Sequence, residues 1–263
     1  MNVIRLLFVS MLTLSILVAC SQKDTKETVK EDTSQEDKTQ DNAVTNKSAE
    51  EDDANKNNVE ENSKEDKALT AIKEQSKLIE SYRAQMDMTA NLDNSEEESL
   101  ELDVNYINGD KPAFELKTFD TLRMVSVDGK TVFNNSEEWV DISDSVELNA
   151  LFHVTYDQAV QYFSDIYNEL ERVTDDGEVK YVYEGNDGFV YNRLERYLQV
   201  SFGTVDTTNH HTEIEFTVDE KNNLITDVEF SSEINDQEGG IELDGEVHYN
   251  EFDEIKEIIL PEM

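Results

Sequence analysis

The sequence predicts an α+β domain with helices packed on one face of a curved antiparallel sheet, and three observations predict it. Several stretches after residue 80 alternate apolar and polar residues with a period of two, the pattern of half-buried strands. Turn pairs such as Asn108-Gly109, Asp128-Gly129 and Asp176-Gly177 punctuate them. Two stretches carry apolar residues at three-to-four spacing instead, one where the domain opens and one after Thr155. Helix, meander, helix, meander is the order of an α+β fold.

Taken in order, Leu69, Ile72, Leu78, Ile79 and Tyr82 fall at mostly helical spacing, with Ala and Lys between them. After Tyr82 the period changes. Ala84, Met86, Met88, Ala90 and Leu92 alternate with polar residues, and the hairpin partner beyond the polar tip Asp93 to Ser99 carries Leu100, Leu102, Val104 and Tyr106 on one face. Strands follow at Phe114 to Thr118, Leu122 to Val127, Val132-Phe133 and Trp139 to Ile142. The second helix begins with Thr155 and Gln158 in capping-box spacing, with Val154 placed to staple against Ala159. Its face is Ala159, Val160, Tyr162, Phe163, Ile166, Tyr167 and Leu170. Val179, Tyr181 and Tyr183 form the next strand. Residues 185 to 203 fit two patterns: Leu194, Tyr197 and Leu198 suit a helix, and Leu198, Val200 and Phe202 suit a strand. The pattern is clear again through Ile214, Phe216 and Val218, a turn at Lys221 to Asn223, then Leu224 to Phe230, and a last strand through Ile241, Leu243, Val247 and Tyr249. The end is apolar, with Ile255, Ile258, Ile259, Leu260 and Pro261.

Composition divides the chain. Residues 21 to 67 hold no aromatic, Leu, Ile or Met, and eight Lys stand against fifteen Asp and Glu. Such a segment cannot bury enough surface to offset its ordering entropy, so residues 20–67 read as a disordered acidic tether and 68–263 as one folded domain. The chain carries a formal charge of −39. That excess excludes nucleic acid as a partner, because binding there needs Lys and Arg against phosphates, and it opposes lying flat on anionic lipid. Neutral or apolar ligands, cations and basic protein surfaces remain, and acidity also serves solubility.

At the start, Arg5 precedes thirteen mostly apolar residues, Leu6 to Val18. As a helix these reach about 20 Å, against roughly 30 Å of hydrocarbon, so residues 1–19 read as a secretory signal and not a membrane span. Leu17-Val18-Ala19-Cys20 resembles the lipobox of bacterial lipoproteins, and Cys20 is the sole cysteine. The resemblance implies that the Cys20 thiol receives a diacylglycerol and that Cys20 becomes the acylated N-terminus. The expected location is then the outer face of the cytoplasmic membrane. With its single Cys used as an anchor, the exported domain has no disulfide and holds together by its core.

The helix-to-strand junction around Tyr82 to Met88, the hairpin before Trp139-Val140-Asp141, and Val247-His248-Tyr249 followed by Ile258 to Pro261 resemble the carrier-like bacterial lipoproteins. That family includes the periplasmic lipoprotein-localisation factor and mycobacterial glycolipid-carrying lipoproteins. The resemblance implies an unclosed half-barrel with helices on its concave face, holding acyl chains beneath them. Together with the two apolar periods, it makes Met86, Met88, Leu102, Val104, Tyr162, Phe163, Phe216 and Val228 the expected lining for a hydrophobic or lipid ligand. The same residues are what a sheet and its covering helix bury in any case. One departure concerns cargo: there is no basic mouth for a lipid phosphate. The alternative function is an acidic interaction or structural module that meets a basic envelope protein.

The sequence shows no pattern for catalysis or a cofactor. There is no Gly-x-Ser-x-Gly, no phosphate loop, no thiol besides Cys20, and no singled-out carboxylate pair. His210-His211, near Asp206 and Glu213, is the sole His pair. Neighbours in a strand point to opposite faces and cannot share an ion, so a solvated loop without a metal is the expectation. Glu96-Glu97-Glu98 and Asp175-Asp176 lack the spacing of a dedicated calcium loop.

Overall fold

The computed structural model describes residues 67–92, 97–144, 154–175, 177–199, 208–236 and 239–262. The signal, Cys20 and nearly all of the tether lie outside these residues, as do Asp176, Val200, Phe202 and Asp206. Within them, helix α1 covers 67–76. Six strands follow: β1 (Ser81–Leu92), β2 (Glu98–Ile107), β3 (Ala113–Thr118), β4 (Thr121–Val127), β5 (Lys130–Asn134) and β6 (Trp139–Asp141). Helix α2 (Tyr156–Ile166) runs into a short 3-10 turn and then β7 (Glu171–Asp175) and β8 (Glu178–Gly185). Helix α3 (Gly188–Leu198) precedes β9 (His210–Asp219), β10 (Leu224–Asp236) and β11 (Gly239–Asn250).

The eleven strands form one antiparallel sheet of order β6-β5-β4-β3-β2-β1-β11-β10-β9-β8-β7. Its ends, β6 and β7, stay apart, so the sheet is an unclosed half-barrel and the fold is α+β as the sequence predicts. Every neighbouring pair is consecutive in the chain except β1 and β11, which meet at the centre with Met86 opposite Val247. From β6 at one edge the chain must reach β7 at the other, and α2 lies in that connection. Helix α3 sits inside the β8 to β9 connection.

Alternation sorts the two faces. Ala84, Met86, Met88 and Ala90 are buried on one face of β1, and Arg83, Gln85, Asp87 and Thr89 face the other way. Cross-strand partners share a face, so the register carries this division across the sheet. Helices α2 and α3 dock on the apolar face, with Ala159, Val160, Tyr162, Phe163 and Ile166 of α2 and Val190, Tyr191, Leu194, Tyr197 and Leu198 of α3 buried. The predicted capping box starts α2: Gln158 N–H donates to Thr155 Oγ1 at 3.3 Å and Thr155 N–H to Gln158 Oε1 at 3.0 Å. Such a cap contributes about 1 kcal/mol.

The structure differs from the sequence reading at two places and decides a third. Helix α1 ends at residue 76, Leu78 is 68% exposed, and Tyr82 belongs to β1. A two-residue turn, with Leu78 N–H bonded to Gln75 O at 2.9 Å, stops the helix before its pattern of spacing does. Strand β7 is added, since Glu171 to Asp175 holds one apolar residue, Val173, and edge strands need no alternating burial. Within 185 to 203 the helical reading holds for Gly188 to Leu198, ended by Gln199 in the left-handed region at φ 53°.

Ala113, Val125 and Val132 lie on the otherwise polar face. They are covered by the C-terminal segment, whose Ile258 packs against them, with Ile255, Leu260 and Trp139 alongside. That segment is fastened to the start of β1, where Asp253 N–H donates to Ser81 O at 2.8 Å and Asp253 Oδ1 accepts from Glu80 N–H at 2.6 Å.

Candidate functional site

Register places much of the expected ligand lining in one line. Leu102, Met86, Val247, Val228, Phe216 and Tyr181 face each other in sequence across β2, β1, β11, β10, β9 and β8. Met88 stands in the adjacent line beside Gly245 and Phe230. From above, Tyr162 and Phe163 of α2 meet the Phe216 ring at centroid distances of 5.4 and 5.1 Å, and Phe163 meets Tyr181 at 5.1 Å. Val104 joins a separate cluster with Phe114, Leu116, Met124 and Ile142 on the β2 to β4 half. All eight expected lining residues are buried, none more than 7% exposed. Of the eight, Phe216 lies against Tyr162 and Phe163 of α2, Leu102, Met86 and Val228 share its line, Met88 stands in the next line, and Val104 falls in the separate cluster.

The helices are held to this face by hydroxyls. Tyr249 of β11 donates to Val154 O, at the approach to α2, at 2.9 Å. Its single proton is thereby used, so the 2.8 Å bond to Tyr197 of α3 has Tyr197 as donor. Tyr82 Oη accepts from Tyr156 N–H at 3.2 Å, and Tyr156 Oη accepts from Ile225 N–H at 3.0 Å. Burial pushes the Tyr82, Tyr156, Tyr197 and Tyr249 hydroxyls up from their ordinary value, which keeps them protonated. Among the described residues, the Tyr162 hydroxyl is buried with no hydrogen-bond partner, although its ring stacks on Tyr197 at 5.4 Å.

The opposite face is hollowed too. An open trough of about 1090 Å³ runs across it, lined by Asp87, Glu101, Glu213, Glu215, Glu229, Asp244 and Glu246 among others. Here the register makes a second line. Glu101, Asp87, Glu246, Glu229 and Glu215 face one another strand by strand across β2, β1, β11, β10 and β9. Lys180 bonds Glu215 at 2.7 Å and Arg83 grips Asp103 with two bonds of 2.8 and 2.9 Å. The like charges outnumber these cations. Partial burial and then Glu215 raise the Glu229 pKa above the ordinary carboxylate value, with Lys180 opposing and Glu246 and Asp227 adding to the rise.

Sequence reasoning missed this carboxylate line. Its signal was present, because the polar alternates of β9 to β11 include Glu213, Glu215, Glu229, Glu233, Glu242, Asp244 and Glu246. The two histidines also depart from the expected loop, since both lie in β9. His210 is buried on the apolar face against the Tyr191 ring, at 4.9 Å, and His211 faces the trough side. Opposite orientation within a strand holds as argued, and it separates the pair.

No protein-family model matches the chain, and no curated protein sequence matches it. Several solved structures are similar in arrangement. Lipoprotein LppX of Mycobacterium tuberculosis is 10% identical, with 73% of this chain and 98% of that one covered and a TM-score of 0.34. LprF of Mycobacterium bovis is 10% identical over 74% and 97% of the two chains, with a TM-score of 0.31. A LolA superfamily protein of Nitrosomonas europaea is 12% identical over 73% and 94%, with a TM-score of 0.26.

Proposed function

We propose that this is a lipoprotein anchored through diacylglyceryl Cys20 at the outer face of the cytoplasmic membrane, whose domain binds a hydrophobic or lipid ligand between the sheet and helices α2 and α3. One observation supports it above the rest. The Phe216 and Tyr181 end of the apolar line is covered by Tyr162 and Phe163 of α2, against which Tyr197 of α3 stacks, and each helix is 11 residues long. For an acyl chain to reach Met86, Met88, Phe216 and Val228 the helices must lift, and the apolar surface that the ligand itself buries has to offset what their buried side chains lose. Methionines adapt to varied chains because they are unbranched and soft. The partnerless Tyr162 hydroxyl supplies a donor for a polar atom of the ligand, a bond that would remove the roughly 1–3 kcal/mol cost of leaving it unmet.

The test is native mass spectrometry of the full chain extracted from cells that make natural envelope lipids. A second bound mass beyond the acyl group on Cys20, released on denaturation and present at near one per protein, is the expected result. A protein that stays bare after incubation with envelope lipid refutes the ligand reading. The anchor is tested separately: Cys20→Ala should move the protein from the membrane fraction to the medium, whatever the domain binds.

A second reading draws on the carboxylate line and its trough, which suit a basic segment of an envelope protein laid across the polar face. Such binding would weaken steeply as salt rises, since exposed charges are screened within about 10 Å at 0.1 M. Binding unaffected by salt would refute it.

A further inference from the structure

Beside the trough three metal-ligating side chains converge from two strands. His211 and Glu213 are two apart on β9 and so share its polar face, and Glu184 of β8 stands directly across from Glu213. One donor atom from each of the three lies within 4.8 Å of the others. His211 Nε2 is 3.6 Å from Glu184 Oε1 and 3.4 Å from Glu213 Oε1. Both separations exceed an ordinary hydrogen bond, so a shared proton is not what sets them. The shorter matches another spacing and the longer lies within a few tenths of an ångström of it. Ligands at about 2.0–2.1 Å from a tetrahedral ion stand about 3.3–3.4 Å from each other.

We propose that Glu184, His211 and Glu213 form a site for a divalent transition-metal ion of the zinc class. The donor set selects the metal. An imidazole nitrogen with carboxylate oxygens favours zinc, nickel or copper, whereas calcium and magnesium take oxygen alone. The electrostatics call for a cation there. Carboxylates directly opposite each other on neighbouring strands repel, and among the described residues no Lys or Arg forms an ion pair with Glu184, Glu213 or Glu233. Glu233 of β10 stands across from His211 but accepts from Asn235 Nδ2 at 3.1 Å, so water completes the shell. The site uses one histidine of the pair, because His210 is turned to the apolar face. It lies on the face opposite the proposed lipid site and stands independently of it.

Isothermal titration of the metal-stripped full chain with Zn²⁺ tests this, alongside His211→Ala and Glu213→Gln. His211 is half exposed, so its replacement leaves the fold intact, which an unchanged melting midpoint without metal confirms. The expected result is a saturable site of one ion per chain, weakened at least about tenfold by either substitution and not displaced by Ca²⁺. Shifts of the His211 ring signals with Zn²⁺ would place the ion at this imidazole. An isotherm for His211→Ala that superimposes on that of the natural chain, or zinc freely displaced by Ca²⁺, overturns the proposal, because both mean diffuse binding to carboxylates.

Discussion

Tyr249 joins the sheet to both helices, and replacing it with Phe removes one oxygen that serves two bonds. Its hydroxyl donates to Val154 O at 2.9 Å and accepts from Tyr197 at 2.8 Å, in a place where water does not reach. Each bond is worth about 1 kcal/mol net, and a buried group left without a partner costs about 1–3 kcal/mol. Tyr249→Phe orphans both the Val154 carbonyl and the Tyr197 hydroxyl, so the expected loss is about 3–4 kcal/mol. Tyr197→Phe removes a donor that Tyr249 can spare, since Tyr249 keeps its bond to Val154, and costs about 1 kcal/mol. In Tyr197→Phe/Tyr249→Phe the orphaned Tyr197 hydroxyl is gone, so the double variant should be no less stable than Tyr249→Phe alone. Urea unfolding followed by tyrosine fluorescence and circular dichroism measures all three against the natural chain. Equal losses for the two single variants, or a double variant whose loss equals their sum, would refute the assigned direction of the bonds.

Three further outcomes follow from the packing and the charges. Gly245→Ala would set a Cβ 2.6 Å from the Phe230 ring and 2.7 Å from Asp87 O, so it should cost about 1–3 kcal/mol in chemical unfolding; an unchanged midpoint would mean that β11 is not held this closely. Ile258→Ala uncovers Val125 and Val132 and should cost about 2 kcal/mol, and loss of cover should speed proteolysis of the C-terminal segment. The raised pKa of Glu229 means that its charged form is less favourable in the folded state. The stability it contributes is present below its unfolded pKa and is lost as pH rises through the folded value. Glu229→Gln should therefore raise the melting midpoint near neutral pH and leave it unchanged well below the carboxylate range, and a lowered midpoint at neutrality would count against it.

Much of the fold was legible because it is local. Alternation from Ala84 to Ala90 fixed the buried face of β1, and Asp128-Gly129, both with positive φ at 54° and 81°, closed the β4 to β5 hairpin as its sequence suggests. Thr155 and Gln158 marked the start of α2 through a bond between neighbours in sequence. What was not legible depends on distant register. Nothing near Met86 announces that Val247 will lie beside it, so neither the apolar line nor the carboxylate line can be read until β1 and β11 are paired. The apolar residues of β4 and β5 on the polar face made sense only once the C-terminal segment was seen to cover them. Leu78 misled in the other direction, matching helical spacing while standing in solvent at a turn.

The central pairing of the first and last strands has a consequence for how the molecule is made. All other ladders form between strands that leave the ribosome one after the other, so each can zip as soon as its partner appears. Strand β1 alone must wait, one rim unsatisfied, for the whole remainder of the chain. Until β11 arrives the growing chain is two separate ribbons with a seam between them, and any release from synthesis before Asn250 leaves that seam open. An open rim of this kind invites pairing with a second chain. Arg83 and Asp87 set charges along the waiting rim, the kind of edge residue that discourages pairing with a second chain.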